Sequence, residues 1–435
     1  MRSPGARRAL ALVSAALAAG ALGCGTRQEA RDPVAETEAP GAQRPIEMFA
    51  WLERIGEEDP LAALAAAHRR AHPDDSIINA RAALSGLARK TLQARMQRNE
   101  PPDTFQANVG GDLMQWVLSN GTDARESKLL PLDDVLAKVP GWREAIPREL
   151  LEQVTYDGKV YGVPANIHRN NEIFYNKKLL ARFGFKEPTS INDLVAMGER
   201  LRGTGVSLFG LGSNAPWTVA LFVDCLMVAR DGPEFYHQYF SGLLDADDPR
   251  MVHTLETALQ LLAYANPDHQ QLSWLQGIDL VTEGRAVMTV MGEWARGPFN
   301  ARGLRLGVDY GEIPFPQTAD VFVFSADAFV LPAAAKNRAG AERLLATLAS
   351  PDGQRAISRA RGTLTARIDV PPPAGDPVLE ENYALLKKHH LVPAAGGVMP
   401  ARFQSDLDAA LGEMLAQHDV DPVVHMLRSR YVLLQ

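Results

Sequence analysis

From Ile46 to Asn108 the chain alternates strand and helix in a way that leaves few folds open. Ile46-Glu47-Met48-Phe49-Ala50-Trp51 lacks a clean polar-apolar alternation, as a strand buried on both faces does. Asp59 caps the following helix with Pro60 at its first position, and Leu61, Leu64, Ala65 and His68 share one face of it. A second strand is predicted over Ser76–Asn79, a second helix over Leu87–Arg98 and a third strand over Thr104–Asn108. This order predicts an α/β fold with a parallel sheet covered on both faces, where ligands sit beyond the carboxyl ends of the strands. Trp51, Glu53 and Asn108 then lie at one rim.

The 435 residues leave room for two or three domains. A net charge of −7 argues against attraction to nucleic acid or to an anionic membrane. Residues 1–24 read as an export signal: Arg2, Arg7 and Arg8, then an apolar run from Ala9 to Leu22, then Ala21-Leu22-Gly23-Cys24. Small residues ending in cysteine resemble a bacterial lipobox, which implies lipidation of Cys24 and an anchor at the membrane. Residues 25–45 are polar, without periodicity, and predict a flexible tether. With Cys24 committed to lipid, Cys225 has no disulfide partner and is expected to be a buried free thiol.

The stretch from Tyr156 to Leu180 joins this first part of the chain to the longer second part. Asp157-Gly158 predicts a two-residue hairpin turn. A short strand with Val160, Tyr161 and Val163 is closed by Pro164, and another strand covers Glu172–Tyr175. Between them Asn166, His168, Arg169, Asn170 and Asn171 form a polar seam too rich in donors for a core, read as a hinge that also touches a ligand. Beyond it, Ser190 or Thr189 with Asp193 caps a helix, Val206–Phe209 is a strand, and Pro216–Ala229 and Met251–Ala265 are helices. Ala286–Val290 is a strand delivering Gly292, Glu293 and Trp294 to a loop. Val321–Phe324 and Ala328–Leu331 are two more strands, Ala341–Leu348 is helical, and so is the chain after Pro371-Pro372-Pro373.

Four segments in order resemble the extracytoplasmic solute-binding proteins of ABC importers built like maltose-binding protein, most closely the glucose/mannose-binding branch. They are Pro101-Pro102-Asp103-Thr104-Phe105-Gln106, the stretch Tyr156–Leu180, Glu283-Gly284-Arg285-Ala286-Val287-Met288 with Met291-Gly292-Glu293-Trp294, and Leu331-Pro332 with Ala335-Lys336-Asn337. The resemblance implies a two-lobed periplasmic-binding-protein-like fold of type II with the ligand cleft between the lobes. One lobe would take residues 46–165 and 320–366, and the other 166–319 and 367–435 with C-terminal helices. It also implies a monomeric receptor without cofactor that captures a sugar, monosaccharide first and oligosaccharide next, and delivers it to a membrane permease.

The candidate ligand-binding residues are Trp51, Glu53, Asn108, His168, Trp217, Glu293, Trp294 and Arg361. Trp51, Trp217 and Trp294 are three of six tryptophans, and flat aromatic faces suit the C–H faces of a sugar ring. Glu293 resembles the acid that binds sugar hydroxyls in the family. His168 can donate and accept through its two nitrogens. Arg361 stands where the branch has lysine and adds a planar fork able to bind carboxylate or phosphate. Asn108-Val109-Gly110 and Ala395-Gly396-Gly397 stand where the branch carries histidines. Ordinary packing or a backbone-bonded hinge histidine is the competing reading of these residues.

Other signals carry less. His68 and His72 stand four apart on one predicted helix without a third metal ligand, and His389-His390 is similarly unsupported. Gly210-Leu211-Gly212-Ser213-Asn214-Ala215 fits a dinucleotide fingerprint but precedes a helix without the return strand such a site needs, so a helix N-terminus lining the cleft is preferred. No Walker loop and no nucleophile arrangement is present. Two functional alternatives stay open: a binding protein repurposed as sensor or adhesin, and an exported glycan-active enzyme using Glu53 and Glu293.

Overall fold

The computed structural model describes residues 44–51, 59–80, 85–118, 127–388 and 391–434. Cys24, the export signal, most of the tether, Glu53 and His389-His390 lie outside the described residues.

The predicted first half folds into one sheet. Ile46–Phe49 runs parallel to Ile77–Asn79 on one side and to Thr104–Asn108 on the other. Asp59 accepts the backbone N–H of Leu61 at 2.9 Å, and the helix Pro60–Ala71 that it caps buries Leu61, Leu64, Ala65 and His68. Two further strands complete the five-stranded sheet: Asp327–Val330 pairs antiparallel with Thr104–Asn108, and Gly162–Pro164 pairs antiparallel with Asp327–Val330 and so runs in the direction of the first three. The parallel expectation therefore holds for the three strands linked by helices and ends where distant chain re-enters. The expected single strand around Tyr161 is also two. Thr155–Tyr156 and Lys159–Val160 form a separate hairpin over Asp157 and Gly158, both at positive φ, and Gly162–Pro164 enters the main sheet.

A second sheet has the order Tyr310–Pro314, Glu172–Asn176, Ala286–Met291, Ser207–Phe209. Successive side chains of its second strand point to opposite faces. Ile173 and Tyr175 enter a large core with the long helix Trp217–Phe240, whereas Phe174 enters a smaller one with Ile278, Phe299 and Tyr310. The long helix breaks at Gly232, whose φ of 84° is non-helical, and resumes at Pro233. Ser190 and Asp193 form the expected capping box at the start of Ile191–Leu201.

A third, three-stranded sheet stitches the other two together: Leu391–Pro393, Phe322–Ser325 and His168–Arg169. The alternation along its middle strand does the stitching. Phe322 and Phe324 sit in the core of the first sheet, while Val321 and Val323 sit in the core of the second. The C-terminal part divides likewise. Leu379, Leu385, Leu386 and Leu391 pack into the first core, and buried residues from Val392 to Tyr431 pack into the second.

Candidate functional site

The polar seam separates into two kinds of residue. Arg169 is fully buried and spends one Nη on the carbonyls of Thr318, Ala319 and Val321 at 2.8–3.0 Å and the other on Asn382 Oδ1 at 2.9 Å. Asn171 donates to Thr318 and accepts the Val323 N–H, and Asn170 accepts from Ser325 Oγ. These three residues satisfy backbone groups where the chain crosses between sheets, as buried polar groups require. Arg296 and Glu312, also buried, pair at 2.5 Å, and Arg296 reaches Asp376 at 2.8 Å. Glu172 lies close by and takes a hydrogen bond from Asn382 at 2.7 Å, so the crossings rest on a buried ionic and amide network.

Asn166 and His168 face a different set of groups. Asp327, the first residue of its strand, lies opposite Asn108. Its Oδ1 accepts Gln106 Nε2 at 2.8 Å, and its Oδ2 accepts Asn166 Nδ2 at 2.9 Å and Arg361 Nη1 at 3.0 Å. Gln106 Oε1 in turn accepts the Trp51 backbone N–H at 3.0 Å. On the other side His168 Nε2 is 3.5 Å from Asp327 Oδ2, and Nδ1 is 3.3 Å from Glu293 Oε1. Glu293 Oε1 also accepts the Leu364 N–H at 3.1 Å. One polar chain thus runs from Trp51 and Gln106 through Asp327 and His168 to Glu293.

Local structure explains each placement. Asn108 ends its strand, and Glu293 follows Ala286–Met291 after Gly292, so both stand beyond strand carboxyl ends. A Cβ on Gly292 would overlap the Trp294 ring, so glycine lets that ring fold back. Trp294 meets the His168 ring edge-on at 5.4 Å and Trp217 at 6.2 Å, and Trp274 adds a third indole 6.4 Å beyond Trp217. Arg361 closes the helix Pro351–Arg361 before Gly362, which takes the left-handed cap with φ of 66°. Trp51 is half-buried against the first core with the Arg89 guanidinium 5.3 Å above its ring.

Electrostatics follow from this geometry. Burial alone would raise the Asp327 carboxyl, but the His168 hydrogen bond and the Arg361 charge outweigh it and hold the group below the usual carboxylate range. Burial alone would lower the His168 imidazole, yet its bonds to Asp327 and Glu293 leave it raised. Buried polar atoms without a hydrogen-bond partner gather here too: Glu293 Oε2, Arg361 Nε and Thr363 Oγ1.

The structure therefore brings His168, Glu293, Arg361, Trp294 and Trp217 into one set of contacts, joins Trp51 to it only through its backbone N–H, and places Asn108 opposite Asp327 in the strand register without a side-chain contact to the set. Sequence reasoning missed Gln106 as a contact residue, Trp274, and above all Asp327. The signal for Asp327 was its position as the one acid within the apolar run Val321–Leu331. The two segments standing in place of histidines touch one another: a Cβ on Gly110 would overlap the Gly397 carbonyl, and one on Gly111 the Met399 carbonyl. His68 serves packing, with Thr347 at 2.8 Å and Asp75 at 3.0 Å. The glycines at 210 and 212 let their loop approach the Gly277 and Ser273 carbonyls beside Trp217. Cys225 is a buried free thiol.

The family profile for bacterial extracellular solute-binding protein matches residues 57–355. The chain belongs to this family. An uncharacterized ABC transporter extracellular-binding protein of Pyrococcus horikoshii is 31% identical over 420 residues, covering 94% of this chain and 91% of the relative. A probable sugar-binding periplasmic protein of Brucella suis is 30% identical over 294 residues, 66% of this chain and 67% of the relative. Among solved structures, the bacterial solute receptor AcbH, described as exclusively preferring β-D-galactopyranose, superposes with a TM-score of 0.76 at 16% identity, covering 89% of this chain and 97% of that one. The fold of this solute-binding protein is the type II, two-lobed arrangement that the sequence segments implied.

Proposed function

We propose that this solute-binding protein is the sugar receptor of an ABC importer, held outside the membrane through Cys24, acting as a monomer and handing its ligand to the permease. The observation that carries the reading is Glu293: a fully buried carboxylate with one oxygen unpaired, beside the His168 imidazole, whose ring meets the Trp294 indole edge-on. A carboxylate oxygen accepts sugar hydroxyls, and an indole face covers the apolar side of a ring. The names of the Brucella relative and of AcbH favour a sugar. A monosaccharide is the first choice. The run of three indoles, Trp294, Trp217 and Trp274, favours an oligosaccharide as the second.

A thermal-shift screen of the purified protein against mono-, di- and oligosaccharides, sugar acids and amino acids tests this. At roughly 100 times its dissociation constant a ligand adds about 2.7 kcal/mol of apparent stability. Stabilisation by a sugar is expected. Stabilisation only by amino acids, or silence across the panel, overturns the reading in favour of a repurposed sensor. Turnover of an oligosaccharide establishes the glycan-active enzyme instead.

A further inference from the structure

We propose that Asp327 sets the charge selectivity of the cleft: by occupying the Arg361 guanidinium it makes the site take a neutral polyhydroxyl ligand and reject the corresponding sugar acid. The inference rests on the proposed sugar-receptor function.

Arginine at position 361 would by itself invite a carboxylate, because its planar fork matches one bidentately. The structure places a resident carboxylate there. Arg361 Nη1 donates to Asp327 Oδ2 at 3.0 Å, and the arginine side chain is only 7% exposed. Asp327 is itself immobilised. Gln106 and Asn166 donate to its two oxygens, and its backbone N–H donates to Asn166 Oδ1 at 3.0 Å. Moving it aside for an incoming anion would break its bonds to Gln106, Asn166 and His168 as well as to Arg361.

The groups beside it reinforce the effect. Glu293 is a second buried carboxylate, joined to Asp327 through the single imidazole of His168. A ligand carboxylate would meet two fixed anions and a guanidinium already engaged. It also could satisfy only one of the two unpaired atoms. Glu293 Oε2 needs a donor and Arg361 Nε needs an acceptor. A hydroxyl does both, whereas a carboxylate only accepts and would leave Glu293 Oε2 buried against like charge.

The test is titration calorimetry on the full chain with matched pairs: D-glucose with D-glucuronate, D-galactose with D-galacturonate, and D-mannose with D-mannuronate, at low salt. The native protein is expected to bind the neutral member of at least one pair at least tenfold more tightly than the acid. Asp327→Asn keeps the side-chain shape, removes the charge and frees the guanidinium, so the ratio should shift toward the acid by at least tenfold. Adding Arg361→Gln to that variant should abolish the gain. A native protein that takes the acid as tightly as the neutral sugar overturns the proposal, and this comparison needs no variant to fold. An Asp327→Asn protein that binds the neutral sugar with an unchanged ratio overturns it as well. If no form binds any pair, this inference fails with the monosaccharide choice, while stabilisation by a larger sugar in the thermal-shift screen would leave the sugar-receptor reading standing.

Discussion

Glu293, in the proposed reading, serves a site and its scaffold at once. Oε1 is held by the Leu364 N–H and His168, and Oε2 has no hydrogen-bond partner, which in that reading a sugar hydroxyl supplies. A charge-assisted bond of this kind contributes about 1.5–3 kcal/mol, so Glu293→Gln, which keeps the size and an acceptor, should weaken sugar binding by roughly tenfold or more. Calorimetry reads the affinity, and a melting temperature near the native one shows that the loss lies in the site. Unchanged affinity would remove Glu293 from it. At this scale His168, Glu293, Trp217 and Trp294 stood out as candidates because their chemistry is unusual for their sequence surroundings, and the structure brings them together. Asp327 was not, because what distinguishes it is the four partners that converge on it from positions 106, 166, 168 and 361. No local pattern encodes such a convergence.

Helices and strands were easier to read than their pairings. Caps at Asp59 and Ser190 are local chemistry, and both were visible. Partners of a strand are not, so the antiparallel insertion of Asp327–Val330 between Thr104–Asn108 and Gly162–Pro164 came from the fold. The long helix Trp217–Phe240 carries a testable consequence of such a pairing. Its Asp224 is buried against the C-terminal segment and accepts the Ala395 N–H at 3.3 Å. Burial pushes this carboxyl up to about 7. Because the folded value lies above the unfolded one, the folded state binds the extra proton between about pH 4 and about pH 7, and Asp224 costs stability as pH rises through that window. Asp224→Asn should therefore raise the melting temperature at pH 8 and leave it nearly unchanged near pH 4, as scanning calorimetry at the two values would show. Equal effects at both would contradict the buried, proton-holding carboxyl.

The whole molecule works through its crossings. Val321 and Val323 belong to one core and Phe322 and Phe324 to the other, so a single strand couples both lobes. The candidate site spans the same divide, with Gln106 on a strand of the first sheet and Glu293 just beyond a strand of the second. A ligand that contacts both sides gains its full affinity only when they are together, and so shifts the population toward the closed form. Small-angle scattering should show the radius of gyration falling when the sugar found in the screen is added. The same addition to the Glu293→Gln protein, at a concentration that saturates only the native one, should leave it unchanged. Sequence alone determined the alternation of α and β elements, the capped helix starts and the segments by which the family is recognised, since each depends on residues close together in the chain. Tertiary structure decided which strands pair, which core the chain from Leu379 to Leu391 joins, and that Asp327 holds Arg361. Those outcomes depend on contacts between residues tens to hundreds of positions apart. Burial sets their energy, and burial exists only once the chain has folded.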